Sequence, residues 1–91
     1  MDVGIYSNRL YLRSVNVGSK FDDLECDLKI DRRGQAMLIV GKTNMIVDLE
    51  SIDPAVLSIA IEYLGKSDDG DAFKSAVKKM YAILEHDDPT L

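Results

Sequence analysis

Between positions 24 and 49 the apolar residues first keep a period of two and then lose it. Leu24, Cys26, Leu28 and Ile30 alternate with Glu25, Asp27, Lys29 and Asp31, which predicts a strand over 24–31 with one wet face. Asp31-Arg32-Arg33-Gly34 fits a type I turn closed by a glycine at positive φ. Over 35–40 the alternation stops, because Ala36, Met37, Leu38, Ile39 and Val40 are all apolar. Such a run predicts an interior strand that wants cover on both faces. A second turn, Gly41-Lys42-Thr43-Asn44, leads to a strand over 45–49, with Met45, Val47 and Leu49 on one side and Ile46 and Asp48 on the other. The rest of the chain is read as cover for this three-strand meander.

Upstream, residues 3–17 are rich in β-formers. Two arrangements fit them: a hairpin turning at Ser7-Asn8, or one long strand with a bulge. Gly18-Ser19-Lys20 and Asp22-Asp23 make a loop, from which Phe21 folds back onto the core. Downstream, Asp53 caps and Pro54 opens a helix that Gly65 is expected to stop. Its apolar residues (Val56, Leu57, Ile59, Ala60, Ile61, Tyr63, Leu64) span about twice the ~100° stripe of a surface helix, so it needs cover on two sides. A second helix over 71–85 carries a stripe of Phe73, Ala76, Val77, Met80 and Leu84. Pro89 bars its continuation, and residues 87–91 are expected to fray. Strands first and helices second predict a single α+β domain over 1–91. Its sheet is an antiparallel β-meander of four or five strands, followed by two antiparallel helices packed on one face.

Composition narrows the classes. The chain has 91 residues, 46 % apolar and 30 % charged, as expected of a globular protein rather than a disordered one. A domain of this size buries only about 60–65 % of its unfolded surface, and association is a common remedy. The net charge is −5, with −1 over residues 1–50 and −4 over 51–91, which disfavours nucleic acid and anionic membrane as partners. A single cysteine, Cys26, allows no intrachain disulfide and suits a reducing compartment. No basic-then-apolar leader opens the sequence, and the longest apolar run, over 36–40, is too short for a bilayer. A cytoplasmic location is expected.

Candidate chemistry is thin. Val40-Gly41-Lys42-Thr43 resembles the end of a phosphate-binding loop, but Ala36 stands where the first glycine belongs and a strand follows where a helix should. Ser67-Asp68-Asp69-Gly70-Asp71 suggests calcium, yet Ala76 occupies the position of the closing glutamate. Helix capping explains those acids better. His86 and Cys26 are single residues far apart in sequence, a poor basis for a nucleophile and its base. Cys26 reads instead as a small core side chain. No enzyme activity, metal or cofactor is expected.

Two surfaces remain. Arg32 and Arg33 at a hairpin tip could meet phosphates, so a nucleic-acid-binding module is the alternative reading. The leading one starts from apolar surplus. Leu38 and Ile46 on the meander's second face, with Val56, Leu57, Ile61 and Leu64 on the first helix, exceed what one two-layer fold is expected to hide. These six are the expected partner-binding residues of a small non-enzymatic protein-protein interaction protein, an adaptor or inhibitor. It is expected to pair with itself as a homodimer and to bind another protein.

Overall fold

Ser7 and Asn8, with φ of 51° and 64°, form the turn that makes the N-terminal segment a hairpin in the computed structural model, which describes residues 2–86. The expected fraying of 87–91 lies outside the described residues. Strands β1 (Asp2–Tyr6) and β2 (Arg9–Asn16) flank that turn. The alternative reading also survives in part. β2 carries a bulge between Leu12 and Val15, where Ser14 has φ 56° and donates its N–H to Asp27 Oδ1 at 3.0 Å.

Strands β3 (Glu25–Asp31), β4 (Ala36–Val40) and β5 (Thr43–Val47) complete a sheet in the order β1-β2-β3-β4-β5, every neighbour antiparallel. Leu24 falls outside β3 and is 38 % exposed, so the buried row begins at Cys26. The last turn is shorter than expected. Gly41 takes φ 61°, which lets Gly41 and Lys42 alone reverse the chain, and β5 begins at Thr43. Leu49 is buried, but in a 3-10 turn over Leu49–Ser51 rather than in the strand.

Helix α1 (Pro54–Lys66) starts as predicted, with the Asp53 carboxylate accepting from Ala55 N–H at 3.0 Å. It runs through Gly65 and ends at Ser67, which has extended backbone (φ −85°, ψ 142°). A Lys66–Glu62 ion pair of 3.1 Å spans its last turn. A 3-10 turn over Gly70–Phe73 leads into α2 (Lys74–His86). No helix among the described residues is long and apolar enough to cross a membrane.

Both helices lie on one face of the sheet, and the register shows which strand positions they cover. One inward row runs Val3–Leu12–Leu28–Leu38–Met45 and the next runs Ile5–Leu10–Ile30–Ala36–Val47. Leu10, Leu12, Leu28, Ile30, Ala36 and Leu38 are wholly buried there, with Leu57, Ala60, Phe73, Ala76 and Met80 among the helical residues of the core. α1 packs on β2. The 3-10 turn over Gly70–Phe73 meets the β1–β2 turn and α2 meets the β3–β4 turn, both at one end of the sheet. Phe73 shares a hollow with Ile5, and Lys79 Nζ donates to the Arg33 carbonyl at 2.6 Å. Gly34 (φ 93°) sits so close to α2 that a Cβ there would lie 3.4 Å from Ala76 Cα. The β4–β5 turn is at the opposite end, beyond α2.

Candidate functional site

The apolar surplus expected on α1 is mostly used within the subunit. Val56, Leu57 and Leu64 are buried, because α1 is held between β2 on one side and α2 with its preceding 3-10 turn on the other. The wide apolar arc thus meets the two covers it requires. Leu38 is buried as well, since it points to the helices and not to the sheet's second face. These four expected partner-binding residues are core residues in this structure. Ile61 is half-buried and packs against the core. Ile46 alone of the six is largely open, at 64 %.

Its neighbour Met45 is the residue the sequence reading missed. It continues the inward row of Leu12, Leu28 and Leu38, yet the helices leave it 41 % exposed. Met45 and Ile46 therefore present apolar groups on opposite faces of one strand. Every residue of β5 is exposed except the half-buried Val47, and among the described residues no strand pairs with its outer side. Thr43, Asn44, Met45, Ile46 and Val47 include no charge, no proline and no bulge, the usual devices that blunt an edge. Lys42 precedes the strand and Asp48 follows it, both exposed.

The other edge is built differently. Gly4 of β1 lies under the Tyr6 ring, so close that a Cβ would sit 2.7 Å from Tyr6 Cε2. Tyr6 meets Tyr11 edge-on, with centroids 5.8 Å apart and planes at 71°. Arg13 stands 5.9 Å over Tyr6 and Lys29 5.7 Å over Tyr11. The β1–β3 part of the open face is thus occupied by its own side chains. The outward row then runs Lys29–Met37–Ile46, ending at the bare edge. Met37 and Ile39 are only half-buried, since none of the described elements covers this face; the expected cover on both sides of β4 is absent among the described residues.

Arg32 and Arg33 are exposed at the β3–β4 turn, where the Arg32 guanidinium and the Arg33 backbone have structural tasks. Arg32 Nη2 donates to Asn8 Oδ1 at 2.6 Å and ties the two turns together. The Asp31 carboxylate accepts from the N–H groups of Arg33 and Gln35, both at 2.9 Å, and the Arg33 carbonyl holds Lys79. A shallow hollow beside them also contains Ser7, Asn8 and Arg9.

The remaining motifs resolve locally. Gly41-Lys42 is a hairpin turn and Thr43 opens a strand, so the segment lacks the helix N-terminus a phosphate loop requires. Ser67 Oγ accepts from Asp69 N–H at 3.2 Å, a turn contact leading to the second helix. Cys26 is buried on the helix side of β3, where desolvation, and then the neighbouring Asp27 carboxylate, push its thiol pKa up. His86 borders an open hollow between the end of β5 and α2, with Val47, Asp48, Lys79 and Ile83. Among the described residues, no three His, Cys, Asp or Glu side chains converge as metal ligands would. Comparison with protein-family models, with curated proteins and with solved structures finds no match.

Proposed function

We propose that this chain is a small non-enzymatic protein-protein interaction module, an adaptor or inhibitor of the cytoplasm, and that its docking surface is the free edge of β5. The observation that carries this reading is the pair Met45 and Ile46, exposed by 41 % and 64 % on opposite faces of a strand whose outer edge no other described strand pairs. Burying such a side chain from full exposure is worth about 1.5–3 kcal/mol, covering the part still open here gains a fraction of that, and a docked strand would also take up the edge's open N–H and C=O groups. The free, buried Cys26 suits a reducing location.

The test compares extract proteins retained by immobilised wild type with those retained by Ile46→Lys, Met45→Lys and a control, Tyr81→Lys, whose side chain is also exposed but lies on α2. The reading expects a discrete partner that both β5 variants lose and the control keeps. Retention that survives both β5 variants, or that fails equally with Tyr81→Lys, would contradict it.

A further inference from the structure

We propose that the strand which occupies this edge is β5 of a second copy, antiparallel, with the two Met45 residues facing each other across a two-fold axis. The inference rests on the interaction reading and names the partner. Its starting point is the direction of the backbone groups. Val40 and Thr43 close a two-residue turn, so that pair exchanges both of its backbone hydrogen bonds. The alternation continues along the strand. Thr43, Met45 and Val47 spend their N–H and C=O groups on β4, while Asn44 and Ile46 turn theirs outward.

An antiparallel partner must bond outward residues to outward residues, and a symmetric pair must place its axis on one residue of the strand. With the axis at Asn44, Ile46 faces Lys42 of the other copy, setting an ammonium stem against the main apolar side chain. With the axis at Ile46, Asn44 faces Asp48 and Thr43 falls outside the overlap. With the axis at Met45, all of β5 is used: Asn44 bonds to Ile46, and Thr43 lies opposite Val47. In that register alone, Lys42 of each copy stands opposite Asp48 of the other. Two opposite-charge pairs thus close the two ends of an uncharged strand pair, and no like charges meet. The inward row Leu12–Leu28–Leu38–Met45 then continues through the second Met45 into the second Leu38, covering the side chain that the helices leave bare.

Sedimentation equilibrium of the full chain tests this. The wild type is expected to dimerise reversibly. Lys42→Glu sets like negative charges opposite each other at both ends, and Asp48→Lys sets like positive charges there. Each should weaken dimerisation by about tenfold, within the range of exposed cross-strand pairs. Mixing the two variants restores opposite charges at both ends and should return a heterodimer of near wild-type affinity. Ile46→Lys should abolish pairing; its position is exposed, and unchanged thermal unfolding under dilute conditions would show that the subunit is intact. A dimer indifferent to these changes, or a mixture no tighter than its components, would overturn the register. A wild type that stays monomeric at its highest soluble concentration would overturn the second copy as occupant. The interaction reading would then still stand or fall on whether β5 variants lose another protein.

Discussion

The fold shifts the titration of Cys26. Burial in the core opposite Val15, with Asp27 beside it, disfavours the thiolate, so the folded pKa lies above the unfolded one. Above about pH 8.5 the unfolded chain begins to release this proton while the folded chain keeps it. The unfolded state then binds fewer protons, and stability falls as pH rises through that window. Denaturant unfolding between pH 7 and 10 should show this fall in the wild type and less of it in Cys26→Ala; equal slopes would contradict the assignment. The residue's place in a core row was legible from its alternation with Glu25 and Asp27. Met45 shows the limit of such reading. It has the same alternation as Leu38 on the neighbouring strand, and nothing in the residue itself says that the helices stop short of it.

Helix α1 was legible where local chemistry decides and illegible where packing does. Asp53 and Pro54 mark its start because cap and φ requirements are local. Gly65 looked like a stop, yet the helix passes through it, with open space where a Cβ would be. Gly70 is the glycine with a packing role. A Cβ there would collide with the Leu64 carbonyl, so only glycine lets the chain turn back this closely under α1. Gly65→Ala should therefore stabilise the protein by about 0.5–1 kcal/mol, the helix-propensity difference. Gly70→Ala should destabilise it by about 1–3 kcal/mol through overpacking. Thermal or denaturant unfolding would check both signs, and a destabilising Gly65→Ala would mean that α1 ends earlier. The wide arc of Val56, Leu57 and Leu64 was correctly read as needing two covers; that α2 would supply the second was not deducible from α1 alone.

At the scale of the molecule, the antiparallel meander and the two-layer α+β arrangement follow from strand periodicity and the order of elements. The proposed docking surface does not follow so directly, because it is set by what the helices fail to cover. α1 lies on β2 and α2 on the far end of the sheet, which leaves the β4–β5 hairpin as the exposed corner. Being last in a meander makes β5 an edge, and its lack of charge leaves that edge without the usual protection against a further strand. The most direct measurement is amide hydrogen exchange along β5 as protein concentration rises. If β5 pairs with a second β5, the outward amides of Asn44 and Ile46 slow with concentration while that of Met45, already bonded to β4, changes little. Asn44 and Ile46 amides that exchange equally fast at every concentration would contradict it.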